Sequence, residues 1–161
     1  MIQPDAIKHM QSGRNVFLTG EPGAGKTYTL NEFISWAESK GKNIAITAST
    51  GIAASHIGGT TIHSWSGIGI ATELTKAMLD KLARNKKFID RYSETDILVI
   101  DEISMMSGNL LTMVDTIARR LRKKPRLAFG GLQVILVGDL FQLPPVNRDS
   151  TRIDFVHQCE T

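Results

Sequence analysis

At 161 residues, with 42% hydrophobic composition and a net charge of +3, the chain is long enough for one sizeable core and too short for two ordinary domains. The N-terminal stretch MIQPDAIKHMQSGRN has no apolar run and no segment approaches the length of a membrane span, so a soluble intracellular protein is expected. The single cysteine, Cys159, leaves neither a disulfide framework nor a cysteine-rich zinc site available and fits a reducing compartment.

Short apolar runs alternate with longer stretches of helical period and no internal repeat appears, which is the pattern of parallel βαβ units. The first strand is expected at 15–19 and runs directly into GEPGAGKT at 20–27, which satisfies G-x-x-x-x-G-K-[ST]. Gly20, Gly23 and Gly25 permit backbone turns that side chains forbid, so several N–H groups can converge on phosphate oxygens. The helix that starts near Lys26 adds the positive end of its dipole. In this arrangement Lys26 reaches the β and γ phosphates of ATP as a movable cation, and the Thr27 hydroxyl takes one position on magnesium. Gly23, Ala24, Gly25, Lys26, Thr27 and Tyr28 are the residues expected to line the nucleotide. The competing reading, a chance glycine turn, does not explain why a strand precedes the loop and an amphipathic helix follows it.

That helix is expected over 26–40, with Leu30, Phe33, Ile34 and Ala37 on one face and Gly41 as its terminator. A second buried strand follows at 43–48. The stretch 58–93 is the least regular part of the chain, holding Gly-rich turns, the step His63, Ser64, Trp65 and a short helix near 73–84. Irregular connections of this length inside a compact α/β domain are commonly binding elements.

The third strand, 96–101, is apolar until it ends in Asp101 and Glu102, at the place where an open α/β sheet presents residues to its ligand. Consecutive residues point in different directions, so Asp101 is assigned to magnesium and Glu102 to the attacking water. Alone, such a pair reads equally well as a solvated strand end; beside a complete phosphate loop the functional reading is favoured. A helix over 107–124 carries Leu110, Val114, Ile117, Ala118 and Leu121 on one face and is expected to stop at Pro125. Its end overlaps RRLRKKPR at 119–126, for which a solvated helix end is favoured over a dedicated DNA contact. The fourth strand, 133–139, ends in GDLFQLPP at 138–145. Gln142 can bond the γ phosphate or the water near it and lose that bond on hydrolysis, as a sensor of nucleotide state, and Asp139 can assist at the metal. On composition alone the same stretch reads as a turn.

Taken together, these motifs resemble the Pif1-type DNA helicases of superfamily one, close to RecD-like and phage Dda-type helicases, over nearly the whole chain. TASTGIAA at 47–54 and GTTIHSW at 59–65 are similar to the paired segments with which that family touches single-stranded DNA. DEISM at 101–105 resembles its Walker B form, GDLFQLPPV at 138–146 its third helicase motif, and the stretch 117–131 running into FGGLQ at 129–133 its signature between the two. The resemblance implies that Thr50, Gly51, His63, Ser64 and Trp65 contact single-stranded DNA, and that Gln3 recognises the adenine edge. Hydroxyls and glycine N–H groups can hold phosphates while His63 or Trp65 stacks on bases, although Trp65 reads equally well as core and a lone histidine as a structural hydrogen bonder. Pro4, beside Gln3, is unexpected in what should become a helix.

The implied fold is a RecA-like P-loop α/β sandwich, a three-layer structure with a mainly parallel sheet, spanning 1–161 as the first motor domain with an inserted region at about 66–94. The strand from Gln133 is expected between the phosphate-loop strand and the Asp101 strand, because Gln142 must reach the same phosphate as Lys26. Family members continue into a second RecA-like domain that supplies an arginine finger, so these 161 residues are read as a piece of a larger motor. Alone they are expected to bind ATP and Mg²⁺, hydrolyse slowly and not unwind DNA. A monomer is expected, cytoplasmic if bacterial and nuclear or mitochondrial if eukaryotic. Two rivals remain: a nucleotide-gated DNA-binding or loader module without significant turnover, and a small-molecule P-loop kinase, which would need an acceptor pocket.

Overall fold

The computed structural model describes residues 3–20 and 25–139. Gly23, Ala24 and Gln142, with everything after Asp139, lie outside the described residues. In chain order the elements are α1 (Gln3–Gln11), β1 (Val16–Thr19), α2 (Lys26–Ser39), β2 (Ile44–Ala48), α3 (Gly51–His56), β3 (Thr60–Thr61), α4 (Ile62–Ser66), α5 (Lys76–Arg84), α6 (Lys86–Glu94), β4 (Ile97–Asp101), α7 (Gly108–Leu121) and β5 (Gln133–Gly138). All five strands are parallel, in the order β1-β5-β4-β2-β3. The strand from Gln133 does lie between the phosphate-loop strand and the Asp101 strand.

Strand alternation divides the core into two layers, because successive side chains leave opposite faces of a sheet. Val16, Leu18, Ile97, Val99, Ile135 and Val137 pack against Ala6, Met10, Leu30, Phe33 and Ala37 of α1 and α2. Leu98, Ile100, Val134 and Leu136 face the other way, against Tyr92 of α6 and Leu110, Val114 and Ile117 of α7. Both faces of the sheet are therefore covered, which is why its strands read as nearly unbroken apolar runs. Pro4 fits after all: it is the second residue of α1, in the first turn, where a backbone N–H has no helical acceptor to lose. The Gln133 amide then ties α1 to the sheet by donating to Met10 O at 2.7 Å and Arg14 O at 2.8 Å.

Several expected boundaries shift. The helix expected over 107–124 ends at Leu121, short of Pro125, with Lys123 in the left-handed region at φ 57. Proline is not the cause of that ending. The chain must reverse toward the 3-10 turn Ala128–Gly131, which Asp115 anchors by accepting from Phe129 N at 2.6 Å. The basic run divides accordingly: Arg119 pairs with Asp115, Arg120 with Asp80, and Arg122 donates to Gly130 O, Tyr92 O and Thr95 O. Half of that run serves the fold. The region 58–93 holds β3, α4, α5 and α6 rather than one short helix in a loop.

Candidate nucleotide and DNA site

The register brings three strand tips to one edge. Thr19 pairs with Gly138 and Ile100 with Leu136, so β1, β5 and β4 end within a residue of one another and bring Thr19, Gly138 and Asp101 to one edge. Since neighbouring strands lie about 4.8 Å apart, β1 and β4 stand roughly 10 Å from each other across β5, the scale of a triphosphate with its metal.

Lys26 opens α2 and its Nζ donates to Gly20 O at 2.8 Å, so the cation reaches back across the base of the loop. Gly25 caps the helix at φ 83, a left-handed conformation that costs a side-chain-bearing residue energy. A Cβ there would also lie 2.0 Å from Gln3 Nε2, so the Gln3 amide sits directly against the end of the loop. Thr27 and Tyr28 are exposed on the first turn of α2, where Tyr28 OH donates to Glu32 Oε1 at 2.9 Å.

Opposite them, Asp101 is half-buried and its Oδ1 accepts from Glu102 N at 2.8 Å. Glu102 is exposed and stands at φ 56, ψ 42, a strained conformation for a residue with a side chain. Two bonds from the end of β2 hold that peptide: Ser49 Oγ donates to Glu102 O at 2.7 Å and Ser49 N donates to Asp101 O at 3.2 Å. Behind it, a Cβ on Gly138 would lie 2.4 Å from Ile103 Cγ2, so the tip of β5 approaches the 3-10 turn Ile103–Met105 as only glycine allows. Among the described residues no group of three or more His, Cys, Asp and Glu side chains is placed to enclose a metal by itself. A threonine hydroxyl on one side and carboxylates on the other suit magnesium, which keeps several waters and takes few protein ligands.

The expected DNA residues follow β2 and β3, whose parallel register pairs Thr47 with Thr60 and Ala48 with Thr61. Thr50 Oγ1 accepts from Ala53 N and so caps α3, and Thr61 Oγ1 accepts from Ser64 N and caps α4, each at 3.2 Å. Gly51 and Ser64 are exposed and His63 is half-buried. Trp65 is only 6% exposed, with its ring against Tyr92 at a centroid distance of 4.7 Å. Its indole belongs to the core and offers no open stacking face. Ile52, 77% exposed beside Gly51, was not singled out from the sequence, nor were Ser49, Arg91 and Tyr92. The capping roles of Thr50 and Thr61 carried a local signal, a threonine just before a short helical stretch. The tertiary roles of Ser49 and Arg91 carried none.

A family profile described as PIF1-like helicase matches residues 4–160. The chain is 51% identical over 146 residues to the ATP-dependent DNA helicase Pif1 of Psychrobacter sp. (strain PRwf-1), a match covering 91% of this chain and 22% of that protein. The crystal structure of Pif1 helicase from Candida albicans superimposes with a TM-score of 0.79 at 43% identity, over 91% of this chain and 35% of that one. Pif1 helicase from Bacteroides in complex with ADP-AlF3 and ssDNA gives a TM-score of 0.63 at 34% identity, over 92% of this chain and 35% of that one. The chain thus spans about a fifth of the curated relative and about a third of the solved chains.

Proposed function

The chain belongs to the PIF1-like helicase family, and on that premise we propose that it is the ATP-binding and ATP-hydrolysing first motor domain of a helicase that tracks along single-stranded DNA. The observation that carries this reading is the convergence of Lys26, Asp101 and Glu102 on one edge of the sheet, with α3 and α4 following two other strand ends.

Lys26, which donates to Gly20 O, exchanges that carbonyl for the β and γ phosphate oxygens when a triphosphate enters. The Gln3 amide, already against Gly25, lies where it can read the edge of a base. Thr27 and Asp101 are the residues to hold magnesium, which would offset the charge of the phosphates. Glu102, fixed by Ser49 and by its own backbone conformation, orients a water for in-line attack on the γ phosphorus, and Gln142 follows the departure of that phosphate. Thr50, Gly51, His63 and Ser64 form the DNA rim, with Trp65 supporting it from the core. The Psychrobacter relative, an ATP-dependent DNA helicase, and the Bacteroides Pif1 complex with ADP-AlF3 and ssDNA support both parts of this reading.

In isolation these 161 residues turn ATP over slowly as a monomer, since an arginine from a second domain typically raises hydrolysis by a factor of about a thousand or more in P-loop enzymes. No helix among the described residues is long and apolar enough to cross a membrane. The test is Glu102→Gln, assayed for nucleotide binding and phosphate release on the same preparation. Binding is expected to persist while release falls at least about a hundredfold, the usual contribution of a positioned base. Release at the wild-type rate would remove Glu102 from the chemistry.

A further inference from the structure

We propose that α6 is a brace for the DNA-rim helix α4, with Arg91 and Tyr92 as positioning residues that set where His63 and Ser64 stand. The inference rests on the reading of α4 as part of the DNA rim.

A five-residue helix has almost no internal hydrogen bonding with which to hold its shape or direction. The orientation of α4 must come from its surroundings. Helix ends leave carbonyls without helical partners, and here the last four are all taken from outside the backbone ladder of α4. His63 O accepts from Gly69 N at 2.9 Å. Arg91 Nη1 donates to Ser64 O at 3.3 Å and to Trp65 O at 2.7 Å, and Tyr92 OH donates to Ser66 O at 2.9 Å. Three of the four acceptors are therefore held by two adjacent side chains of α6, a helix about 25 residues further along the chain. The Arg91 cation also lies at the negative end of the short helix, where charge and dipole agree.

Packing fixes the same geometry. The Trp65 and Tyr92 rings meet at 4.7 Å and an interplanar angle of 49°, and the Arg91 guanidinium sits 4.8 Å from the centroid of Phe88. Where α4 ends, a Cβ on Gly67 would lie 2.7 Å from Leu82 Cδ2 and 3.1 Å from Phe88 Cε1, so α4 has no room to move toward α5 and α6. The brace is itself anchored, because Arg122 donates to Tyr92 O and to Thr95 O at the end of α6. Apolar packing alone would have held α4 near the core. Directed bonds to individual carbonyls fix its rotation, and rotation decides whether His63 and Ser64 face the rim.

The test compares the wild-type chain with Tyr92→Phe, which keeps the ring against Trp65 and deletes only the hydroxyl, and with Arg91→Ala. Three quantities are read: anisotropy of a fluorescein-labelled dT12 over a salt series, affinity for a fluorescent ATP analogue, and amide exchange at Gly69. Affinity for dT12 is expected to fall about threefold for Tyr92→Phe and about tenfold for Arg91→Ala, as loss of neutral and charge-assisted hydrogen bonds implies. ATP-analogue affinity stays at the wild-type value and Gly69 exchanges faster. The salt slope stays unchanged, because Arg91 meets carbonyls of α4 rather than phosphate. A slope shallower by about 0.7 for Arg91→Ala would mean that Arg91 binds phosphate directly, and would overturn the brace. So would wild-type dT12 affinity in both variants. A wild-type chain that binds the ATP analogue but not dT12 would contradict the DNA reading itself, and the inference would fall with it.

Discussion

Glu102 carries a sharp local conflict, a side-chain-bearing residue at φ 56 immediately after an apolar strand. Such a conformation costs of order 1–3 kcal/mol and persists only when neighbours over-determine it. Here they do: Ser49 grips the peptide through two bonds, the Asp101 carboxylate accepts the Glu102 N–H, and Gly138 lets the following turn settle against β5. The consequence is that the Glu102 carboxylate, proposed above to orient the water, is aimed by backbone geometry. Gly138→Ala tests this. The new methyl must displace Ile103, costing about 1–3 kcal/mol of stability as overpacked cores do, and phosphate release is expected to fall while nucleotide affinity is retained. Thermal melting with a parallel turnover assay reads both, and an alanine variant with wild-type stability and turnover would show that the close approach is dispensable. Asp101 and Glu102 stood out in the sequence because carboxylates at the end of an apolar strand need a reason. Ser49 was not, since nothing local marks a serine whose partners lie 53 residues away.

At the scale of elements, strands and long helices were readable and short ones were not. β4 and β5 are continuous Val, Ile and Leu runs because both sheet faces are covered, and α2 and α7 keep a helical apolar stripe over 14 residues each. α3 and α4, at 6 and 5 residues, complete less than two turns and show no period. β3 is two threonines whose pairing with β2 gives no apolar signal at all. The end of α7 was misplaced for a physical reason: Pro125 is a visible stop, whereas the actual reversal depends on Asp115, one buried carboxylate accepting from Arg119 Nε and from Phe129 N. Asp115→Ala leaves a buried N–H and a guanidinium without their acceptor. We expect a loss of about 3 kcal/mol, or roughly 6–12 °C in melting temperature for a domain of this size, with Asp115→Asn recovering part of it. A melting temperature within a degree of wild type for Asp115→Ala would mean that the bond from Arg122 to Gly130 O holds the turn without Asp115.

For the molecule as a whole, the order of the strands was a consequence of the chemistry expected at their ends. If a residue following β5 is to serve the same phosphate as Lys26 and the metal held by Asp101, β5 has to lie between β1 and β4, and it does. That agreement links fold to function more tightly than either motif alone, since an α/β domain of this size could order its strands in many ways. The two-sided core supports these tips, with α1 and α2 on one face of the sheet and α6 and α7 on the other. Whether this edge binds a nucleotide with its metal is read by calorimetric titration of ATP with magnesium into the wild-type and Lys26→Ala chains. One saturable site is expected in the wild type and no measurable heat of binding in a folded Lys26→Ala variant; a folded wild-type chain that binds no nucleotide, or a variant that binds it equally well, would rule out a nucleotide site at this edge.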